Sequence, residues 1–136
     1  LAALWLQSLV VANTRFQTAT ALVVAALAGA AIWAISPWAS GHKEPWDAEG
    51  LFYVAALLVG GVISGLFVPR PLWAHYVGSV VGQLGYELLF LQLGALLLLG
   101  AVFMLGYSVV FLVGAIGGSH LRLHVRREKS DGEQRD

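Results

Sequence analysis

The stretch VGSVVGQLGYELLF, residues 77–90, has the apolar density of a membrane helix yet carries Gln83 and Glu87 a single turn apart. At roughly 100° per residue, a helix here puts Trp73, Val77, Val80, Val81, Leu84 and Leu88 on one arc. His75, Gly78, Ser79, Gly82, Gln83, Gly85, Tyr86 and Glu87 fill the other. Lipid is as apolar as leucine, so no hydrophobic effect drives helices together within it. Close backbone approach over small residues and interhelical hydrogen bonds do so instead. The small and polar arc is therefore expected to face protein, with Gly78 and Gly82 forming a small-xxx-small contact.

Composition places the rest of the chain in the same setting. Of 136 residues, 58% are hydrophobic and 12% charged, and the mean hydropathy is +0.75. That is more apolar surface than a water-facing domain of this length can hide. The net charge of zero conceals an asymmetry, because most basic residues lie beyond residue 120. The absence of cysteine excludes disulfides, thiolate metal sites and a cysteine nucleophile. No n-region and cleavage site mark the first residues as a signal peptide, and a processed or truncated start is compatible with the leading Leu1.

Roughly 20 apolar residues cross the hydrocarbon layer, and the chain divides accordingly. The expected fold is an all-α integral membrane protein, a four-transmembrane-helix antiparallel bundle with a short N-terminal interfacial helix. Residues 1–16 form that interfacial segment, moderately amphipathic and too short to span. The transmembrane domain covers 17–120, with spans at about 17–36, 51–68, 72–91 and 94–118. Pro69 and Pro71 stop the second span, and a turn near Phe90 to Gly94 separates the last two. Residues 121–136 read as a basic, then disordered, cytoplasmic tail.

Basic residues concentrate in short cytoplasmic segments. Four spans with both termini inside put Arg15, Arg70, Arg122, Arg126, Arg127, Lys129 and Arg135 on the cytoplasmic side and only Lys43 outside. Trp38 and Trp46 then sit at the outer headgroup level. A bacterial inner membrane is the expected location.

The other helices repeat the small-residue pattern. Gly60, Gly61, Ser64 and Gly65 share one side of the second, and Gly114 and Gly118 extend a stripe of Gly100, Phe103, Tyr107 and Phe111 on the fourth. Such faces close a bundle internally or meet another subunit.

Gln83, Tyr86 and Glu87 are candidates for a shared polar network. Glu87 falls near the outer interface by this topology, where it is expected to be solvated or hydrogen-bonded. Pairing between subunits, or a proton or cation site, is the alternative. His75 and His120 both belong near the cytoplasmic face and form the haem or metal alternative, although His120 lies in SHLRLHVRR, where interfacial histidines are ordinary. His42, Glu44, Asp47 and Glu49 read as a solvated acidic loop rather than a cation site. Arg122, Arg126 and Arg127 bind lipid headgroups or simply set topology. Nothing supports nucleic-acid binding, and no hydrolase, zinc-protease or P-loop motif occurs. The expected function is a non-catalytic accessory or structural subunit without cofactor, packing through glycine-rich faces against its own copies or other membrane subunits. A small homo-oligomeric channel or transporter is the alternative, and a membrane haem protein the third reading.

Overall fold

The computed structural model describes the backbone of residues 2–48, 50–91, 94 and 97–133 and the side chains of 10–48, 50–91, 94 and 97–130. These residues form four α-helices and no strand: α1 (Ala2–Ala39), α2 (Phe52–Phe67), α3 (Leu72–Phe90) and α4 (Leu97–Glu133). A single 3-10 turn, Pro45–Asp47, interrupts the loop between α1 and α2. Val10–Ala39 and Leu97–Ser130 are long and apolar enough to cross a membrane. The shorter α2 is equally apolar, and α3 carries the polar arc.

Two boundaries differ from the sequence reading. No break separates residues 2–16 from the apolar run that follows: α1 is continuous for 38 residues, Ala2–Ala39. Asn13 and Thr14 resemble a stop signal, but the hydroxyls of Thr14, Thr18 and Thr20 turn back onto the carbonyls of Val11, Thr14 and Phe16 at 2.8–2.9 Å. Bonded this way, a threonine stays inside a helix rather than ending it. The tail expected to be disordered is helical as far as Glu133. LRLHVRREK holds good helix formers, no breaker occurs before Gly132, and His124 and Glu128 meet one turn apart at 3.7 Å. The α3–α4 turn begins at Leu91, after the helix ends at Phe90, and α4 starts at Leu97, with Gln92 and Leu93 of the expected turn outside the described residues.

The α2 terminus falls where the prolines require. Val68 closes the last turn onto Ser64 at 3.0 Å, and α3 begins just after Pro71. Gly41 and Gly50 adopt φ of 78° and 77°, left-handed conformations that carry the chain out of α1 and into α2.

Helices pair out of sequence order. α1 lies against α3 and α2 against α4, with α3–α4 and α1–α2 completing a square, so hairpin-linked α2 and α3 sit diagonally. Glycine makes the two main pairs. Gly78 rests on Leu22 and Ala25, and Gly82 on Ala26, while Gly29 of α1 returns the contact onto Ser79. Gly61 and Gly65 meet Phe111 and Ala115, and Gly114 and Gly118 meet Leu58 and Val62. Numbering rises together in both pairs, so α1 runs parallel to α3 and α2 to α4. A Cβ at Gly82 would overlap the Ala26 carbonyl oxygen, and one at Gly29 would lie 2.7 Å from the Ser79 carbonyl. Gly60 is less tight, facing the Phe111 ring and Ile32. The glycines read as helix-packing residues thus meet helices of their own chain.

The expected faces of α3 mostly hold: Trp73, Val77, Val81 and Leu88 are exposed, and on the opposite arc His75, Gly78, Ser79, Gly82, Gln83 and Glu87 are buried while Gly85 and Tyr86 are half-buried. Val80, expected outside, is buried, and Leu84 is half-buried. Because α3 has two helical neighbours, its covered sector is wider than one face. Gly82→Leu is expected to destabilise the fold by about 3 kcal/mol or more, since overpacking here pushes on backbone. Val81→Leu should cost under about 0.5 kcal/mol, as expected of a surface substitution. Equilibrium unfolding in detergent micelles measures both, and similar losses would show that the α1–α3 contact is assigned wrongly.

Candidate functional site

Four residues of α3 at one-turn spacing, His75, Ser79, Gln83 and Glu87, point into the bundle, the first three fully buried and Glu87 only 8% exposed. At 1.5 Å per residue the ladder extends about 18 Å along the axis. It is the main polar feature of the interior.

Gln83 is its centre. The Oε1 atom accepts from Trp33 Nε1–H at 3.3 Å and from the Tyr53 hydroxyl. The Nε2 group donates to Ser79 Oγ and Ser108 Oγ, each at 3.0 Å. A primary amide offers two lone pairs and two hydrogens, and all four are used. The partners come from α1, α2, α3 itself and α4, so one side chain is bonded to every helix. Tyr53 is supported in turn by the Tyr107 ring, with centroids 4.9 Å apart.

Toward the α2–α3 hairpin, the His75 ring bridges to Ser64 Oγ through Nδ1 and to the Val68 carbonyl through Nε2, both at 2.8 Å. A carbonyl only accepts, so Nε2 carries a hydrogen. With both nitrogens taken, His75 is unavailable as a haem or metal ligand in this arrangement. His120 is exposed on α4, whereas His75 is fully buried. Among the described residues no cluster of three or more His, Asp or Glu is placed to hold a metal. In the loop between α1 and α2 His42 meets Asp47 at 3.5 Å, and Glu49 lies outside the described residues.

Glu87 departs from the sequence expectation of a solvated or hydrogen-bonded carboxylate. Its Oε2 is buried and has no hydrogen-bond partner, and Oε1 faces Gly100. Depth along α3 alone would place Glu87 near the outer interface, whereas Gly100 of α4 lies against its Oε1. Tyr86 does not join the network either. Its ring packs on Phe90 and Trp33 at centroid distances of 4.9 and 6.5 Å, and its hydroxyl makes none of the hydrogen bonds described. The residues that do complete the network, Trp33, Tyr53 and Ser108, escaped the sequence reading. The available signal was stoichiometric: a buried amide needs partners at its own depth on the other helices.

Arg122, read as a headgroup or topology residue, donates to the carbonyls of Leu66, at 2.7 Å, and of Phe67. It caps the last turn of α2 from α4. Arg126 and Arg127 line clefts on either side of Arg70.

Comparison with protein-family models, curated proteins and solved structures finds no match.

Gln83→Leu removes four hydrogen bonds at once. Three of them join helices, and at the ~0.6 kcal/mol that an interhelical bond contributes inside lipid, the setting proposed below, a loss of roughly 2 kcal/mol or more is expected, against under about 1 kcal/mol for Ser108→Ala. The same unfolding equilibrium checks this, and equal losses would remove Gln83 from the centre of the network.

Proposed function

We propose that the chain is a non-catalytic integral membrane protein, a four-span bundle that serves as a structural or accessory subunit of the membrane it occupies. The observation that carries this reading is the inverted distribution of polarity. Gln83, His75, Ser64, Ser79 and Ser108 are fully buried, while Leu27 is 66% and Leu98 80% exposed. Phe67, Trp73, Val81 and Leu89 continue the apolar exterior onto the two shorter helices. Water would penalise that surface, whereas lipid covers it without cost.

A structural role fits the interior better than a conducting one. Gln83 is saturated by groups from all four helices, and the axis beside it is filled by Trp33, Leu57, Met104 and Phe111. A solute path would require an open polar route at that level. The glycine faces close this bundle on itself, so partners would meet its outer surface. One such surface is the apolar groove of about 370 Å³ between α1 and α2, floored by Ala28, Ala56 and Gly60.

The basic residues support an orientation with both termini cytoplasmic, in keeping with a bacterial inner membrane. Arg70, Arg122 and Arg126 gather with the Phe16 and Gln17 region at one end, and Lys43 belongs to the loop of Trp46 at the other. Single Ser40→Cys and Ser130→Cys variants test this: in intact cells an impermeant thiol reagent should label only the first. External labelling of Ser130→Cys would reverse the topology.

A small channel or transporter remains the second reading because Glu87 is buried without a partner, as functional membrane carboxyls often are. Glu87→Gln keeps shape while removing the ionisable group, so on the structural reading assembly and stability should match or exceed wild type. The wild type should carry no robust proton or cation flux in liposomes. A clear flux abolished in a well-assembled Glu87→Gln protein would replace the structural reading with transport.

A further inference from the structure

At the end of the bundle formed by the α2–α3 hairpin, two clefts of about 380 and 530 Å³ open on either side of Arg70. The smaller is walled by three separate segments of chain. Phe16 and Gln17 come from α1, Phe67 and Arg70 from the end of α2 and the hairpin, and Arg122 and Arg126 from α4. Three arginines thus line one cleft from two elements distant in sequence. No carboxylate among the described residues lies within ion-pair distance of any of them, because the described pairs are His42 with Asp47 and His124 with Glu128. Arg122 is anchored on the α2 carbonyls, which fixes one guanidinium at the cleft wall, while Arg70 and Arg126 are exposed and bonded to no described group.

Convergent cations of this kind repel one another unless an anion lies between them. A guanidinium recognises a phosphate through paired N–H donors, and several in one cleft suit a phosphodiester. The apolar rim sets the source of that phosphate. Phe16 and Phe67 are both largely exposed at the cleft edge, and the apolar outer faces of α1 and α2 continue from them. A soluble phosphate would gain nothing from this rim, whereas a lipid would lay its acyl chains along it with its headgroup among the arginines. Basic pockets between helices on the cytoplasmic side are suited to anionic headgroups. We propose that the cleft bounded by Arg70, Arg122 and Arg126 is a selective site for the phosphate headgroup of an anionic phospholipid. The proposal rests on the membrane reading above and adds a defined ligand to it.

The test uses the full chain in a mild neutral detergent, titrated with short-chain phosphatidylglycerol or phosphatidylcholine and followed by native mass spectrometry and calorimetry. Phosphatidylglycerol should bind saturably and phosphatidylcholine should not. The double variant Arg70→Gln/Arg126→Gln, which leaves the Arg122 cap intact, should weaken phosphatidylglycerol binding by roughly tenfold or more. Lys129→Gln, which removes a basic residue outside the cleft lining, should leave it unchanged. Helical content and detergent-micelle mass, compared with wild type, establish that the double variant is folded. If it is not, the single Arg126→Gln variant carries the same expectation at about threefold or more. Equal phosphatidylglycerol affinity in folded variant and wild type would overturn the proposal, as would equal binding of the two lipids. Displacement of the lipid by millimolar inorganic phosphate would also overturn it in favour of a soluble anion. Extraction of the native protein from membranes by alkaline carbonate would instead sink the membrane reading itself, an outcome distinct from failure of lipid selectivity in a protein that stays embedded.

Discussion

The Gln83 amide is the point on which the four helices converge. Two donors, Trp33 and Tyr53, approach its oxygen, and two serine oxygens receive its hydrogens. Because these groups come from every helix, rotation or sliding of any one breaks a bond that the apolar surroundings cannot replace. In an aqueous protein such a constraint would be a minor addition to hydrophobic burial. On the membrane reading proposed above, polar pairing and van der Waals fit carry the specificity, and a single saturated amide sets both register and depth.

Glycine supplies the approach that the amide then fixes. Gly78 and Gly82 bring α3 onto α1, and Gly61, Gly65, Gly114 and Gly118 bring α2 and α4 together. Each pair is parallel and separated in sequence by an intervening helix, so neither forms as a simple hairpin. The short hairpin joins diagonal partners, with His75 bonded to Ser64 and Val68 beside it. Arg122 adds a fixed contact from α4 to the end of α2, which aligns the basic end of the long helix with the hairpin.

The readable parts of the fold were those governed by local periodicity. The buried arc of α3 and the Pro69–Pro71 stop follow from spacing and backbone chemistry within one segment. The continuity of α1 and the helical tail did not follow, because threonine hydroxyls have local alternatives and charged residues are good helix formers when an i,i+4 partner is present. The polar site was half legible. Gln83 and Glu87 stood out by type, but Trp33, Tyr53 and Ser108 carry no signal within their own segments and meet at one level only through the helix pairing. Pairing is a three-dimensional property, and helix order along the chain would have suggested neighbours that the glycines do not choose.

Glu87 shows what that pairing leaves over. The ladder on α3 is satisfied at His75, Ser79 and Gln83, and its last member has a buried oxygen with no partner. A second buried polar atom without a partner, the donor Trp46 Nε1, belongs to the same loop-side half of the bundle, where Trp46 stacks on Phe103 at 6.1 Å. An acceptor and a donor unpaired in one otherwise saturated interior are a local departure from the rule that buried polar groups are bonded. Stability alone would favour an apolar side chain at position 87, because Gly100 opposite it leaves room and no hydrogen bond would be lost. The carboxyl is therefore a feature of the described core that packing does not require, and the feature on which structural and transport roles diverge.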